Sequence, residues 1–374
     1  MPCENALLTS PRPSRFSLFV LLVLALAAVA ATGCASIAGP KGWASPVLVD
    51  GLLLVAHRDE LFALDPEDLS PLWRFPASGQ DADPGALYGA PAMLNGIVFV
   101  PTYEGNLYAI AADSGEPEWG PFEADGPLVG DATASDGTVY FGSSDGKVYA
   151  LDAESGEPRW NPFATGKEVW SPPVLHDGTL FVTSFDRRLY ALDAETGREL
   201  WSFSTGAGIG SPAVVVEDEG VVLVAGFDTR LRAIDLETHE ERWSVKASNW
   251  FWTRPLVRNG VAYAGGLDGK VYAVDVGTGE ERWGPFSTEE EIRAAPVIAD
   301  ELLIVIDRGG NVYGLDPDTG TEVAGSPLKL DAKVLADPVV LPNGDVAVVT
   351  TDGELIRIDA GALEIVSRKK LTQE

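Results

Sequence analysis

Short apolar segments alternate with polar turns along the chain from residue 43 onwards. Between residues 173 and 202, for example, apolar segments occur at 173–175, 179–182, 189–192 and 199–202. The turn between the first two contains Asp177 and Gly178, a pair that favours a tight hairpin because glycine accepts a positive φ. The pattern predicts units of four short antiparallel strands.

One sequence motif recurs throughout this region. The segment VYALDAESGEPRW at 148–160 returns in similar form at 189–201, 231–243 and 271–283, and more weakly from residues 61, 107, 312 and 355. The repeated residues Asp152, Asp193, Asp235 and Asp275 lie 41, 42 and 40 residues apart. A period of this size is typical of one β-propeller blade, so the eight copies predict eight blades.

The third apolar segment of each repeat, such as 148–151, is apolar on both faces, which fits a sheet packed between two other sheets. We therefore predict an all-β fold over residues 43–374, an eight-bladed β-propeller of four-stranded antiparallel blades. Leu69 and Leu363 replace the turn glycine in the first and last repeats, as expected for terminal repeats that meet each other. The tryptophan that ends the motif is expected to serve blade packing, at Trp73, Trp119, Trp160, Trp201, Trp243 and Trp283.

The first 33 residues differ from the rest. Arg12 and Arg15 precede an apolar run at 16–31, which is typical of an export signal. The tetrapeptide Ala-Thr-Gly-Cys at 31–34 resembles the lipobox of bacterial lipoproteins, in which the cysteine is lipidated and becomes the first residue of the mature chain. We therefore expect a lipoprotein signal peptide at 1–33, a lipid anchor at Cys34 and a lipidated tether at 34–42.

The chain is strongly acidic, with 27 basic and 56 acidic side chains and a formal net charge of −29. This charge excludes nucleic acid and bare anionic membrane as electrostatic partners, so membrane contact is expected through the lipid alone. Two cysteines, Cys3 and Cys34, cannot form a disulfide framework for the propeller. Because motifs for zinc, acyl transfer and nucleotide phosphate do not occur, we expect no catalytic residue, metal or cofactor. We also expect the propeller to be monomeric.

Positions that break the repeat are the candidate binding residues. Alignment on the residue that opens each innermost strand, usually proline, places eight residues around one rim of the channel: Trp43, Tyr88, Val129, Trp170, Ile209, Trp252, Arg293 and Leu335. Aromatic and arginine side chains are enriched at interface hot spots and in stacking sites. We predict a partner- or ligand-binding rim formed by Trp43, Tyr88, Trp170, Trp250, Phe251, Trp252, Arg254 and Arg293. The alternative is that these rings close the channel mouth or pack between blades.

Acidic residues recur in a second place, the hairpin seven residues before the repeated aspartate position, in six of the eight repeats; Arg58 and Gly309 are the exceptions. Turn chemistry explains each of them singly, because aspartate accepts hydrogen bonds from backbone N–H groups of its own turn. Together they are expected to make one rim negative, so that a partner rich in lysine or arginine is steered towards it. These residues are Glu104, Asp145, Asp186, Asp228, Asp268 and Asp352.

The Tyr-Ala-Leu-Asp-x-x-Ser/Thr-Gly-x-x-x-Trp repeat resembles the pyrroloquinoline-quinone-like repeat of eight-bladed β-propellers and covers essentially all of residues 43–374. A lipobox followed by eight bare blades most resembles the propeller lipoproteins that form the B component of the outer-membrane β-barrel assembly machinery. This resemblance implies a non-catalytic envelope scaffold that docks onto periplasmic domains of the barrel-inserting protein. It implies a location on the periplasmic face of the outer membrane, or on the outer face of the cytoplasmic membrane in a cell with one membrane.

The same superfamily leaves two alternatives open, a quinone- or sugar-dependent enzyme and an extracytoplasmic ligand sensor. Many quinoprotein alcohol dehydrogenases carry a vicinal cysteine pair and long insertions around the cofactor. This chain has repeats of about 42 residues and no cysteine pair in the propeller region, which leaves little room for a buried cofactor site. The binding scaffold is therefore the preferred interpretation, and its partner is an envelope protein.

Overall fold

The computed structural model describes residues 43–77 and 84–371, which form a ring of eight four-stranded sheets. The predicted signal peptide, Cys34 and the tether at 34–42 lie outside the described residues. Each sheet consists of four strands that are consecutive in the chain and pair antiparallel. The prediction of an eight-bladed propeller is confirmed. Within the described residues, no helix has the length and apolar character needed to span a membrane.

The first four blades are formed by β1 (Val47–Val49), β2 (Leu52–His57), β3 (Glu60–Leu64) and β4 (Pro71–Phe75); β5 (Ala92–Leu94), β6 (Ile97–Pro101), β7 (Asn106–Ala111) and β8 (Pro117–Glu123); β9 (Thr133–Ser135), β10 (Thr138–Gly142), β11 (Lys147–Asp152) and β12 (Phe163–Ala164); and β13 (Val174–His176), β14 (Thr179–Ser184), β15 (Arg188–Asp193) and β16 (Glu199–Ser204). The first strand of each blade is the innermost and the fourth is the outermost.

The last four blades are formed by β17 (Val214–Val216), β18 (Val221–Ala225), β19 (Arg230–Asp235) and β20 (Glu241–Lys246); β21 (Leu256–Arg258), β22 (Val261–Gly265), β23 (Lys270–Asp275) and β24 (Glu281–Ser287); β25 (Val297–Ala299), β26 (Leu302–Ile306), β27 (Asn311–Leu315) and β28 (Leu328–Lys329); and β29 (Val339–Val340), β30 (Val346–Val349), β31 (Glu354–Asp359) and β32 (Glu364–Lys370). A short 3₁₀ helix, Glu217–Glu219, precedes β18.

The core is divided into eight clusters of buried apolar residues, one between each pair of neighbouring blades. Successive residues of a strand serve different clusters, because side chains alternate between the two faces of a sheet. In β2, Leu54 packs towards the second blade and Leu53 towards the eighth. This arrangement explains why the central residues of most second and third strands are apolar on both faces.

The ring closes without strand exchange, since the first and eighth blades each contain four consecutive strands. Buried residues of β2 and β3 pack directly against β30 and β31. The Asp337 backbone N–H donates to the Ser45 Oγ at 2.9 Å, and Arg357 donates to the Glu67 carbonyl at 2.7 Å. Face-to-face packing and these hydrogen bonds therefore join the two ends of the propeller.

The repeated tryptophans lie between blades, as the sequence predicts. The Trp160 Nε1 donates to the Ala194 carbonyl of the next blade at 3.2 Å. The ring also packs on the turn glycine of that blade, Gly197, which has φ 70° and where a Cβ would lie 2.6 Å from the indole. Equivalent indole bonds run from Trp73 to Ala112, Trp119 to Ala153, Trp243 to Val276 and Trp283 to Pro317.

Two junctions between blades lack both the tryptophan and the glycine. Ala324 and Ser367 occupy the tryptophan position in the last two blades, and the blades that follow them carry Leu363 and Leu69 in place of glycine. Both leucines adopt positive φ and are buried. Leu69 lies at the seam between the eighth and first blades, whereas Leu363 packs against the seventh blade. The absence of a tryptophan from the preceding blade therefore accounts for both leucines, and only Leu69 lies where the two terminal repeats meet.

Candidate functional site

The two faces of the ring are built from different connections. The linkers from each outermost strand to the next innermost strand lie on one face with the hairpins between second and third strands. We call this the linker face. The opposite face carries the remaining two turns of each blade, including the turns with the repeated aspartates, and we call it the turn face. Backbone bonds join the linkers to the hairpins: Phe185 donates to the Glu168 carbonyl at 3.0 Å, and Phe227 donates to that of Gly208 at 3.0 Å.

The linkers position the predicted rim. One residue of each linker is buried and donates its backbone N–H to a neighbouring hairpin, as Val169 does to the Ser143 carbonyl at 3.0 Å. The next residue lies at the mouth of the channel. Seven of the eight aligned positions thereby line a cavity of about 440 Å³: Trp43, Tyr88, Val129, Trp170, Trp252, Arg293 and Leu335.

The prediction is wrong for Ile209, the one aligned residue that does not line the cavity. Ile209 is fully buried in the cluster between the fourth and fifth blades, and Gly210 lines the cavity instead. The linker of the fifth blade carries its proline one residue earlier, so Pro212 corresponds to Pro172 and not to Pro173. Alignment on the proline therefore shifted this position by one residue.

Phe251 also requires a correction. It is fully buried, its ring centroid lies 5.4 Å from that of Tyr272, and it belongs to the cluster between the fifth and sixth blades. It occupies the buried linker position that Val169 occupies in the fourth blade. Phe251 therefore cannot contact a partner at the rim, whereas Trp250 and Trp252 on either side of it lie at the surface of the linker face.

Five aromatic side chains form a continuous arc across the fourth, fifth and sixth blades. The ring centroids are 4.7 Å apart for Trp170 and Phe185, 5.4 Å for Phe185 and Phe227, 5.0 Å for Phe227 and Trp250, and 5.4 Å for Phe227 and Trp252. We call these five residues the aromatic arc. The sequence interpretation missed Phe185 and Phe227, although each directly precedes a hairpin acid, Asp186 or Asp228.

A second group of rings lies on the same face in the first two blades. Trp43 packs edge-on against Tyr88 with centroids 4.3 Å apart, and Tyr88 lies 5.1 Å from Tyr103. Tyr103 also precedes a hairpin acid, Glu104. Several of the rings on this face are exposed to a degree unusual for their size: Trp43 40%, Tyr103 38%, Trp170 36% and Trp250 45%.

The guanidinium of Arg293 lies beside Trp252, at one end of the aromatic arc. The guanidinium carbon of Arg293 lies 5.4 Å from the centre of the Trp252 ring. Glu291 Oε1 accepts from Arg293 Nε at 3.0 Å and from Arg308 at 3.1 Å, which fixes the position of Arg293. An aromatic face carries partial negative charge and attracts such a cation.

Charged residues inside the channel were only partly identified from the sequence. Asp131, Arg254 and Asp337 occupy the same linker position in the third, sixth and eighth blades. Each lies two residues before the first residue of the innermost strand. All three line the 440 Å³ cavity. The Asp131 Oδ1 accepts from the Ala90 N–H and the Asp337 Oδ1 accepts from the Ala295 N–H, each at 2.7 Å. The two carboxylates therefore join neighbouring blades.

Burial changes the titration of these two carboxylates. Desolvation of the half-buried Asp131 carboxylate raises its pKa to about 6, against the opposing effect of its bond from Ala90. Burial also raises the pKa of Asp337. Arg254 lowers the pKa of both through charge attraction, and Asp337 raises that of Asp131 through charge repulsion. The three charges therefore interact across the channel.

The hairpin acids on the linker face hold their own loops. Asp186 accepts from the Gly166 N–H at 2.6 Å, from the Arg188 N–H at 3.1 Å and from the Tyr190 hydroxyl at 2.6 Å. Asp145 and Asp268 accept similarly from Tyr149 and Tyr272. The interpretation of these acids as turn residues agrees with this geometry, and steering of a basic partner remains a prediction.

On the turn face the repeated aspartates are bonded within their turns. The Asp193 Oδ1 accepts from the Thr196 N–H at 2.8 Å and from its hydroxyl at 2.6 Å, which lowers the pKa of Asp193. The Asp152, Asp235 and Asp316 pKa values are lowered by bonds within the same kind of turn or to a nearby arginine. Each carboxylate is thus occupied by its own blade and unsuited to a shared metal site.

The three histidines belong to different blades: His57 ends β2, His176 ends β13 and His239 lies in a turn. His239 takes the glycine position of the fifth blade at φ 60°, and its ring stacks on Trp201 with centroids 4.4 Å apart. Among the described residues, one group of potential metal ligands is found: His176, Asp177 and Glu217, whose ligand atoms lie within 4.8 Å of one another. Both acids are exposed, and Glu217 belongs to the short 3₁₀ helix of the fifth blade.

Comparison with known proteins agrees with the repeat. The sequence model of the family described as outer membrane protein assembly factor BamB matches residues 27–186, 125–215 and 186–370. No curated protein matches the chain by sequence. Among solved structures, BamB from Moraxella catarrhalis is similar with a TM-score of 0.69 and 20% identity, over 82% of this chain and 91% of that one. The computationally designed Ika8 protein is similar with a TM-score of 0.72 and 16% identity, over 85% and 96%.

Proposed function

This chain belongs to the family of outer membrane protein assembly factor BamB, and on that premise we propose that it is a non-catalytic envelope scaffold for outer-membrane protein assembly. The proposal includes export, a lipid anchor at Cys34 and a location on the periplasmic face of the outer membrane. In a cell with one membrane, the outer face of the cytoplasmic membrane takes that place. The linker face contacts the protein partner, and the turn face serves the fold.

The exposed aromatic arc is the observation that carries this proposal. Soluble monomers seldom leave several large apolar side chains exposed side by side, and such patches mark interaction sites. Trp170, Trp250 and Trp252 contribute to one such surface, and Arg293 extends it. Tryptophan and arginine are the residue types most enriched among those that dominate binding energy.

The repeated aspartates support a scaffold in preference to a metal-dependent quinoprotein. A Ca²⁺ site needs several carboxylate and carbonyl oxygens converging on one point. The repeated aspartates instead lie in separate turns, where Asp193 and Asp316 accept bonds from nearby residues of their own turns. Their regular spacing reflects one requirement of the fold repeated in each blade.

Crosslinking capture from native membranes tests the proposal. The wild type is compared with a Trp250→Ala, Trp252→Ala, Arg254→Ala variant of the linker face. A matched control variant carries Leu72→Ala, Leu200→Ala and Val366→Ala, which removes three exposed apolar side chains from outermost strands. We expect the wild type and the control to capture the barrel-inserting protein, and the linker-face variant to lose it.

Equal capture of the barrel-inserting protein by all three forms would overturn the proposed surface. A quinone or sugar retained by the purified protein, with no envelope protein captured, would instead favour the enzyme or the sensor. Melting temperatures of the three forms verify that loss of capture is not loss of folding.

A further inference from the structure

The cavity at the channel mouth combines aromatic walls with charges that come from three sides. Asp131, Arg254 and Asp337 belong to the third, sixth and eighth blades, so they point into the channel from different directions. Trp43, Tyr88, Trp170 and Trp252 line the same space nearer the mouth. A cavity of about 440 Å³ whose walls combine aromatic rings with a few converging charged groups has features of a small-ligand site.

Within residues 43–77 and 84–371, the two carboxylates have no cationic partner in direct contact. Each uses one oxygen to accept a backbone N–H, from Ala90 or Ala295. Among the ion pairs in the part of the chain that the structure describes, none involves Asp131, Asp337 or Arg254. Both residues are half-buried in the channel wall, and partly desolvated carboxylates are stabilised by a positive charge beside them, so this pair leaves room for a further cation.

We propose that the cavity binds an ammonium or guanidinium group, which lies between Asp131 and Asp337 and below the aromatic rim. The group belongs either to a free small cation or to a lysine or arginine side chain presented by a protein. The inference needs only the cavity and stands apart from the proposed role in outer-membrane protein assembly.

The walls favour a cation over an anion for two reasons. Of the two arginines that line the cavity, Arg293 is paired with Glu291, so the two ionised carboxylates outnumber the remaining guanidinium, that of Arg254. The ring faces at the mouth add to this attraction, because aromatic faces attract cations. Arg293 shows this chemistry within the protein, since its guanidinium lies 5.4 Å from the Trp252 ring centre.

The pH dependence of binding follows from the groups that face the cavity. Burial raises the pKa of Asp131 to about 6 and raises that of Asp337 as well, while the charge of Arg254 lowers both. Arg293 and Tyr88 are the other titratable groups of the cavity wall, and burial raises the pKa of Tyr88 above its ordinary value of 10.0. Acidification therefore removes negative charge from the cavity, and affinity for a cation falls as the pH falls through about 6.

Isothermal titration of the full-length protein in detergent tests the inference. The probes are agmatine, which carries a guanidinium and an ammonium, and a capped Gly-Arg-Gly peptide, with capped Gly-Gln-Gly as the neutral control. We expect saturable binding of at least one cationic probe near neutral pH and none of the neutral peptide. Binding of agmatine alone identifies a free small cation as the ligand, and binding of the arginine peptide identifies a side chain.

Asp131→Asn with Asp337→Asn keeps an oxygen for each backbone N–H and removes both charges. We expect it to weaken cation binding by about tenfold or more, the effect of losing one hydrogen bond to a charged group. Glu157→Gln, at an exposed acid on the turn face, should leave affinity unchanged. In the wild type, affinity should fall several-fold between about pH 7.5 and about pH 5.

Two results would overturn the inference. One is the absence of saturable binding by either cationic probe to the wild type. The other is an affinity for those probes that changes neither with pH nor in the Asn variant. Because the pH titration uses the wild type, it decides the question even if the variant does not fold.

Discussion

The two faces of this propeller differ in how closely their residues follow the repeat. On the turn face, successive blades use the same aspartate, the same glycine and the same tryptophan bond, as at Asp193, Gly197 and Trp160. On the linker face, equivalent positions hold residues as different as Trp170, Gly210 and Arg293. Repetition therefore marks the residues that build the ring, and its loss marks the surface available for binding.

Aspartate shows the difference most clearly, because the two faces shift its pKa in opposite directions. Side-chain and backbone hydrogen bonds lower the pKa of Asp193 and Asp235 in the turns. Burial raises the pKa of Asp131 and Asp337 in the channel. The turn carboxylates therefore stabilise the fold in their ionised form, whereas the channel carboxylates reduce its stability when ionised.

Truncation of a tryptophan should give the largest difference between the two faces in the free energy of unfolding. Trp283 packs between the sixth and seventh blades, donates to the Pro317 carbonyl at 2.9 Å and covers Gly320. We expect Trp283→Ala to lower the free energy of unfolding by about 3 kcal/mol, since it leaves a gap and an unpaired carbonyl. Trp250→Ala on the linker face should change it by about 0.5 kcal/mol or less. Denaturant unfolding measures both, and equal losses would contradict the distinction between the faces.

Alanine should cost different amounts of stability at two glycines of the turn face, because a side chain packs against only one of them. Gly197 has φ 70° and a Cβ there would lie 2.6 Å from the Trp160 ring, whereas Gly178 has φ 71° and open space. Gly178→Ala should cost about 1 kcal/mol from backbone strain alone. Gly197→Ala should cost about 1 kcal/mol more, because the indole must move and its bond to Ala194 weakens. Similar unfolding free energies for the two variants would show that the tryptophan does not depend on glycine.

Removal of a channel charge should raise stability. Asp131 has a folded pKa of about 6 against 3.8 for its ordinary value, so its contribution to stability is complete below about 4 and is lost as the pH rises through 6. Asp131→Asn should therefore increase the free energy of unfolding near pH 7 by about 1 kcal/mol. The gain should disappear near pH 4, where the wild-type carboxyl is protonated. Thermal unfolding across this range measures the difference.

Asp235→Asn provides the matched control with the opposite sign. A lowered folded pKa gives Asp235 a contribution that is present at neutral pH and lost on acidification. The variant should melt below the wild type near neutral pH, and the two should converge as the pH falls. A melting temperature of Asp131→Asn that stays below that of the wild type throughout would contradict the account of the channel.

The sequence predicts the parts of this molecule that repeat. Eight blades, the tryptophan positions and the turn role of the aspartates all follow from a local motif of about a dozen residues. The residues of the cavity are harder to predict from the sequence, because they come from linkers that lie far apart in the chain. A single-residue shift of proline in the fifth blade was enough to place Ile209 at the rim instead of Gly210.

The direction of each side chain is the second feature that the sequence does not predict. Trp250, Phe251 and Trp252 are consecutive aromatic residues, and the middle one is buried in the core while its neighbours lie at the surface of the linker face. Composition alone cannot assign these directions. Phe185 and Phe227 join the aromatic arc only because the ring brings hairpins of neighbouring blades beside the linkers. A combined comparison of linkers and of the residues before each hairpin acid would have identified them.

The central claim, that partners bind the linker face, is tested most directly by a photocrosslinking amino acid placed on each face in living cells. Trp250 is the position on the linker face and Glu157 the exposed position on the turn face. The account predicts an adduct with the barrel-inserting protein from position 250 and none from position 157. An adduct from position 157 alone, or equal adducts from both, would contradict it.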